Sequence, residues 1–286
     1  MVGRSFCILG FTSLIGIVCA QDAPDKSRYH LFNPTPREQM REMSTDRPDK
    51  TESPYTVDAG HFQIESDLAV YEHDHDTSAG SSVYGDNWTF GSLNLKAGLC
   101  NFSDLQVVLF PYSKVRTDDR INGLIGHQSG FGDVLTRLKI NFWGNDGGKT
   151  AFGIMPFAKW PTSQDNLGNT AIEGGVIVPF GFELPAGFSC GMMTEFDWIR
   201  DAASSDYHSE FINTITFGHQ IVGNLDGYVE FFSLVSAETG APWVGTFDVG
   251  FTYAFTENTQ LDAGVNIGVT KSAPDVSPFL GFSVRF

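Results

Sequence analysis

The sequence lacks any apolar run long enough to cross a membrane as a helix, because beyond residue 20 no segment approaches 18 uninterrupted apolar residues. Positive charge is scarce as well: 18 lysine and arginine residues stand against 34 aspartate and glutamate residues, which gives a net charge of −16. This acidic balance argues against nucleic acid as a partner. Because the chain has no such apolar helix, any insertion into a membrane must use a closed β-barrel, since only helices and closed barrels satisfy the hydrogen bonds of the backbone in lipid.

Cysteine is the next scarce residue type, with four in the chain, of which two lie in the first 20 residues. The other two, Cys100 and Cys190, could form a disulfide in an oxidising periplasm. They fall on predicted strands that are far apart around the sheet. We therefore predict two free thiols.

The amino terminus has the features of a secretory signal peptide. Arg4 precedes a mostly apolar stretch at residues 6–18, and small residues before Gln21 favour cleavage after Ala20. The bulky residue before Cys19 argues against lipoprotein processing there. We predict that residues 1–20 are removed on export.

The remaining chain divides in two. Residues 21–58 are rich in proline and charged residues without a periodic pattern, which predicts an irregular periplasmic or plug-like segment. Within it, residues 37–43 could form one short helix. Residues 59–286 show the alternation of apolar and polar residues that is typical of strands.

The predicted fold is all-β: a single antiparallel up-and-down transmembrane β-barrel of about 12 strands. The predicted strands are 61–72, 87–100, 104–116, 129–144, 149–162, 171–184, 187–200, 207–221, 226–235, 242–256, 259–270 and 276–286. Tight turns alternate with longer polar loops, as they do at the periplasmic and extracellular ends of such barrels. An even strand count places both termini in the periplasm. A soluble barrel would use the same alternation with a polar exterior and an apolar core.

The carboxy-terminal strand, 276–286, supports the membrane interpretation because it ends on Phe286. One face is apolar, and the other carries small or charged residues and includes Arg285. We expect the barrel-assembly machinery to bind this strand, and outer-membrane lipid to surround the barrel. All five tryptophans fall near predicted strand ends, as in an aromatic girdle, and they are Trp88, Trp143, Trp160, Trp198 and Trp243.

Several short motifs resemble a known family. The motifs are TDRPDKTESP at 45–54, GHFQIE at 60–65, GFGDV at 130–134, KWPT at 159–162, QLDAG at 260–264, APD at 273–275 and GFSVRF at 281–286. Together they resemble the MetA-pathway phenol-degradation family, whose members are usually labelled outer-membrane transporters. The resemblance implies a barrel and the uptake of small, often hydrophobic compounds. It implies no functional residues.

Enzyme signatures are weak. Residues 72–76 read EHDHD, but we place them in the first long loop, where a solvated acidic loop is a better interpretation than a metal site. Asp206, His208 and Ser209 form no recognisable catalytic motif. We expect no enzyme, no cofactor and no bound metal.

Three functions remain open. The first is a transporter or channel for a small, hydrophobic or aromatic solute of unknown identity. The second is a structural or surface-interaction barrel without transport, and the third is a barrel enzyme.

The candidate site residues form two sets. The inward-facing charged residues are Arg137, Lys139, Lys159, Glu195, Asp197, Glu230, Asp248, Asp262 and Arg285. In this set a basic wall opposes an acidic wall, which would produce a transverse field in an open pore; alternatively, the charges pair and fill a narrow lumen. The second set is the N-terminal motif Asp46, Arg47, Pro48 and Glu52, which either docks into the periplasmic mouth or belongs to a disordered leader.

Overall fold

The structure is a computed structural model that describes residues 25–77, 81–201 and 204–286. The predicted signal peptide lies outside the described residues. The strand segments of the described chain are β1 (Phe62–Asp76), β2 (Val83–Cys100), β3 (Ser103–Leu109), β4 (Tyr112–Asp119), β5 (Leu124–Gly130), β6 (Val134–Trp143), β7 (Thr150–Trp160), β8 (Glu173–Glu183), β9 (Phe188–Arg200), β10 (Tyr207–Val222), β11 (Leu225–Ser236), β12 (Val244–Thr256), β13 (Thr259–Gly268) and β14 (Val276–Arg285).

These segments form one closed antiparallel barrel of 12 strands, which confirms the predicted fold class. Closure comes from β1, which pairs with β2 on one side and with β14 on the other. Neighbouring strands along the chain are neighbours in the sheet, because tight turns such as the one at Gly223, with a φ of +58°, join them directly.

Two of the twelve barrel strands are each divided into two segments by a break. β3 and β4 are separated at Phe110 and Pro111, and both pair with β2. β5 and β6 are separated at residues 131–133. Proline lacks the N–H that a continuous ladder needs, which gives a local reason for the first break. The prediction that residues 104–116 and 129–144 each form one continuous strand was therefore wrong.

The faces of the strands settle whether this is a membrane or a soluble barrel. The inward side chains of Asp248 and Asp262 are 0% and 2% exposed, whereas the outward Phe247 and Phe251 are 44% and 50% exposed. An apolar exterior around a polar interior is the pattern of a barrel in lipid. A soluble barrel would show the reverse.

Three local predictions were wrong. β1 continues to Asp76, so the acidic sequence 72–76 lies on a strand and not in a loop. Most of β5, Leu124–Gly130, lies at residues 117–128, the interval between two predicted strands that was expected to be a loop. Within residues 37–43 the structure has only a single 3-10 turn, Arg37–Gln39. Cys100 and Cys190 are both free, as predicted.

No helix in the described ranges is long and apolar enough to cross a membrane.

Candidate functional site

The chain before β1 enters the barrel at the end that carries the carboxy terminus and leaves it again before His61. The Leu31 N–H first donates to the Leu99 carbonyl at the end of β2, at 2.9 Å. The chain then turns into the lumen. At the base of the inserted loop the hydroxyl oxygens of Ser44 and Ser53 lie 2.7 Å apart. We call residues 44–53 the finger.

One side of the finger binds the basic wall of the lumen. The Asp46 carboxylate accepts hydrogen bonds from the ammonium groups of Lys96 on β2 and Lys139 on β6. Glu52 accepts from Arg137 on β6, with Oε1 at 2.7 Å from Nη1. Lys96, Lys139 and Asp46 are all at most 9% exposed. Charges buried this deeply require partners, and the finger supplies them.

The opposite side of the finger binds the acidic wall. The Arg47 guanidinium donates to both carboxylate oxygens of Asp262 on β13, from Nη2 at 2.7 Å and from Nε at 3.2 Å. It also forms an ion pair with Asp67 on β1. Lys50 Nζ lies 3.0 Å from Asp248 Oδ2 on β12. Asp248 on β12 and Asp262 on β13 lie across the lumen from β6, which carries Arg137 and Lys139. The finger therefore spans the barrel from wall to wall.

Backbone contacts hold the tip of the finger on β10 and β11. The amides of Lys50 and Thr51 donate to the two carboxylate oxygens of Glu230, both at 2.8 Å. The Thr51 hydroxyl lies 2.6 Å from the Thr214 hydroxyl. A single carboxylate therefore orders two consecutive residues of the tip.

The inner wall has glycine where the inserted segment packs closely. A Cβ built on Gly281 would lie 2.0 Å from Arg47 Nη2, and one on Gly191 would lie 3.1 Å from Thr51 Cγ2. A Cβ on Gly181 would meet Pro54 Cγ at 3.3 Å. Because glycine has no side chain, these three positions leave room for the finger and for Pro54.

The chain that leaves the lumen after the finger is hydrogen-bonded to β3, to β6 and to the turn that follows β6. Asn141 Nδ2 on β6 donates to the Pro54 carbonyl at 2.9 Å. Asn145 Oδ1 accepts from the Thr56 amide at 3.0 Å, and Asp104 Oδ2 on β3 accepts from the Val57 amide, also at 3.0 Å. The inserted segment is thus bonded both on its way in and on its way out.

Ion pairs hold the segment at the mouth of the barrel. Asp58 is bound by Arg41 Nε at 2.9 Å and by Arg285 Nη1 at 3.6 Å. In the turn between β6 and β7, Asp146 binds Lys26 at 2.8 Å. Partial burial raises the pKa of Asp146, but hydrogen bonds from Lys26 and Asn101 outweigh it and hold this pKa below its ordinary value.

The structure places every candidate residue of the barrel wall on the inner face. Arg137, Lys139, Glu230, Asp248 and Asp262 bind the finger directly. The four others lie elsewhere on that face.

Arg285 is at the mouth, and Lys159 pairs with Glu173 at 2.6 Å towards the opposite end. Glu195 and Asp197 lie on β9 beyond the finger, with Asp197 only 6% exposed.

Sequence reasoning missed part of the network. Lys96, Glu65, Asp67 and Asp104 face the lumen and contact the inserted segment. Their signal was available, because each alternates with apolar residues on a predicted strand. Pro48, in contrast, has no side-chain donor or acceptor and so adds no hydrogen bond or ion pair to this network.

Space remains on both sides of the finger. Towards the mouth, a cavity of about 1120 Å³ lies between residues 37–43 and the wall formed by β11 to β14. On the other side, a small cavity of about 150 Å³ is lined by Asp46, Arg47, Glu52 and Phe110 among others. The finger lines the smaller space, whereas residues 37–43 line the larger one.

Within the described residues, no group of three or more histidine, cysteine, aspartate or glutamate side chains could hold a metal ion. His73 instead binds Asp86 at 2.9 Å, and His75 stacks on Tyr84 with ring centroids 3.9 Å apart.

Comparison with known proteins gives a family and a fold. The model of the family described as "Putative MetA-pathway of phenol degradation" matches residues 45–286. The structure is similar to an outer membrane channel from Pseudomonas putida F1, with 13% identity, a TM-score of 0.60, and coverage of 85% of this chain and 100% of that chain.

It is also similar to the translocator domain of the autotransporter NalP from Neisseria meningitidis, with 9% identity, a TM-score of 0.53, and coverage of 79% of this chain and 88% of that chain. No curated protein matches the chain. At these identities the two structures establish a shared barrel fold.

Proposed function

The chain belongs to this family, and from that premise we propose that it is an outer membrane channel for small solutes whose lumen is closed at rest by the finger. The observation that carries the proposal is the finger itself, which binds the basic and the acidic wall at once. The fold that the chain shares with an outer membrane channel supports the location. In this proposal residues 1–20 are cleaved on export and both termini lie in the periplasm.

The charges of the finger alternate in sign, and this pattern fits the two walls. Asp46 and Glu52 neutralise the basic wall, while Arg47 and Lys50 neutralise the acidic wall. Removing the finger from the lumen would expose both walls to water and restore the transverse field. A wetted lumen of this kind favours solutes with a dipole over fully apolar ones.

The description of the family supports small aromatic compounds as the solute class. A phenol combines an apolar ring with a hydroxyl that can donate to a carboxylate such as Asp262 or Asp248. We therefore extend the proposal to small aromatic solutes that carry at least one hydrogen-bonding group.

Conductance in a planar bilayer tests whether the finger closes the channel. In a fingerless variant, residues 45–52 are replaced by two glycines, which the contact between Ser44 and Ser53 makes geometrically feasible. In a locked variant, Thr51→Cys and Thr214→Cys form a disulfide between the tip and β10. Both variants carry Cys100→Ala and Cys190→Ala, as does the reference protein.

We expect the fingerless variant to conduct several-fold more than the reference, and the locked variant to gain conductance when the disulfide is reduced. Equal conductance of the fingerless variant and the reference would show that the finger does not close the lumen. If none of the proteins conducts ions or passes phenol in liposome swelling, the channel itself is refuted, and the structural barrel becomes the better interpretation.

A further inference from the structure

A group of basic side chains lies on the outer surface of the barrel, on the side formed by β1, β2, β4 and β5. Lys114 and Arg116 alternate with inward residues on β4, and Arg120 follows in the next turn. Arg116 and Arg120 have side chains that are 42% and 58% exposed. We call Lys114, Arg116 and Arg120 the basic patch.

The register shows what surrounds this patch. Lys114 lies opposite Trp88 on β2, which in turn lies opposite Tyr71 on β1. One row nearer the barrel centre, Tyr112 lies opposite Phe90. The patch thus begins at a row of aromatic side chains and extends away from the membrane centre.

Below the aromatic rows the same surface is apolar. Leu93 and Leu95 face outward on β2, and Leu109 and Val107 are their partners on β3. From the barrel centre to its rim, this side therefore passes from aliphatic to aromatic to basic residues. This order of layers matches the acyl chains, the interface and the headgroups of a lipid leaflet.

The charges of the patch are held outward and are incompletely paired. Lys114 Nζ lies 5.9 Å from the centre of the Trp88 ring, and the Arg120 guanidinium lies 3.8 Å from the centre of the Tyr84 ring. Asp118 lies 3.5 Å from Arg116 and 4.0 Å from Arg120. Asp86 lies opposite Arg116 on the same face, and its carboxylate is bound by Tyr71 and His73. Lys114 forms no ion pair with any of the described residues.

The location of this patch is exceptional for a chain with a net charge of −16. On the strands that the structure describes, Arg200 at the end of β9 is the other outward-facing lysine or arginine. The remaining strand cations, such as Lys96 and Lys139, face the lumen. Cations on the lipid-facing side are costly unless they reach a headgroup.

We propose that the basic patch binds the phosphate groups of a phosphorylated glycolipid of the lipid A class in the outer leaflet. Lysine and arginine bind phosphate oxygens through charge-assisted hydrogen bonds, and arginine does so in a bidentate manner. Residues two apart on a strand lie about 7 Å apart on one face, so Lys114 and Arg116 can contact the same headgroup. The aliphatic rows below receive its acyl chains.

Two imidazoles lie beside the patch on the outer face. His127 on β5 lies opposite Arg116, and His73 lies opposite Asp86 in the same row. The ring N–H of His127 is a further hydrogen-bond donor next to the patch, whereas His73 is bound to the Asp86 carboxylate. A lipid with one phosphodiester, such as phosphatidylglycerol, would engage fewer of these groups.

Native mass spectrometry of the full-length protein in detergent tests the site, with bis-phosphorylated lipid A, monophosphoryl lipid A and phosphatidylglycerol as probes. The test variant is Lys114→Gln, Arg116→Gln and Arg120→Gln. The matched control removes the same charge elsewhere through Lys149→Gln, Arg200→Gln and Lys271→Gln. Heat-dependent gel mobility verifies that both are folded.

We expect lipid A to bind the test variant at least tenfold more weakly than the wild type, and the control within twofold of the wild type. The wild type should bind lipid A more tightly than monophosphoryl lipid A, and both more tightly than phosphatidylglycerol. Equal weakening in test and control variants would overturn the proposal. So would phosphatidylglycerol binding as tightly as lipid A, a comparison that uses only the wild type.

Discussion

At the scale of single residues, the most consequential side chain is Asp46. It is buried, and its carboxylate is shared between Lys96 and Lys139, which are themselves almost completely buried. Each of these ammonium groups would otherwise lie in the lumen with its charge incompletely neutralised. Removing one member of a buried ionic network usually costs more stability than the network contributes, because the remaining charge loses its partner.

Asp46→Asn should therefore lower the stability of the folded barrel by about 3 kcal/mol, the typical cost of breaking a buried pair. The measurement is the temperature at which the compact band disappears in a heat-dependent gel-mobility series. Asp206→Asn serves as the control, because Asp206 is exposed in a loop and its side chain accepts a hydrogen bond from the Ser204 hydroxyl. Equal shifts in the two variants would show that Asp46 makes no special contribution.

Gly181 is a second informative position, because the three atoms nearest to a Cβ added there all belong to the inserted segment, to Pro54 and Tyr55. Gly181→Leu should displace that segment and increase conductance in a planar bilayer while the barrel remains folded. Gly85→Leu is the matched control, since a Cβ at Gly85 approaches only Asp74, at 3.9 Å. The same increase in both variants would contradict a specific effect on the inserted segment.

At the scale of elements, the finger is an irregular loop that is ordered by the walls around it rather than by its own hydrogen bonds. Its internal bonds, such as the one from the Ser53 amide to Asp46, are few, whereas its bonds to strands are many. The walls in turn depend on the finger for neutralisation. Loop and barrel therefore stabilise one another.

The two walls should control ion selectivity once the finger is absent. In the fingerless variant, Arg137→Glu with Lys139→Glu removes the basic wall and adds two carboxylates, so the channel should become markedly more selective for cations. Reversal potentials across a salt gradient measure this change. Lys149→Glu with Lys271→Glu changes the charge equally outside the lumen; if it shifts selectivity as much, the walls do not determine selectivity.

The docking of residues 25–35 should depend on pH through Asp146. Its pKa is held below the ordinary value of 3.8, so the ionic contact with Lys26 is fully formed above about pH 4 and is lost as the pH falls through the lowered pKa. Hydrogen exchange at the Leu31 amide, which donates to Leu99, should therefore accelerate in acid beyond the intrinsic rate. Asp146→Asn should show the acceleration at pH 7, and protection unchanged by this substitution would contradict the expectation.

At the scale of the whole molecule, closure depends on the seam between β1 and β14. The Phe286 amide donates to the Phe62 carbonyl at 2.8 Å, and the Phe286 carbonyl lies 2.8 Å from His61 Nδ1. The last residue thus completes the ladder beside the point where the inserted segment becomes β1. Loss of this residue would remove the last backbone hydrogen bond of the seam at this end of the barrel.

Deletion of Phe286 should reduce the amount of folded barrel in the outer membrane several-fold, because the seam loses its last backbone pair and the proposed assembly signal. Heat-dependent gel mobility of the membrane fraction measures the folded amount. Phe286→Tyr keeps the aromatic ring and the backbone bonds and should restore assembly. Wild-type levels of folded protein after the deletion would refute this role.

Most of the fold could be predicted from the sequence because the side-chain period of a strand is local. Alternation along segments such as 259–270 is visible in the sequence and survives in β13. Breaks were harder to predict: the apolar pattern continues through Phe110, although the strand stops there. The extent of β1 to Asp76 was missed because charged residues at a rim are compatible with both a strand and a loop.

The sequence by itself determined the closed barrel, its polar interior and the opposite signs of its two walls, since these follow from alternation and from the order of residues along neighbouring strands. Only the tertiary structure decided that the finger fills the lumen. Arg47 and Asp262 are separated by 215 positions, and no local pattern encodes their contact. Their pairing arises because closure of the barrel brings both walls within reach of one short charged loop, where unpaired charges would be costly.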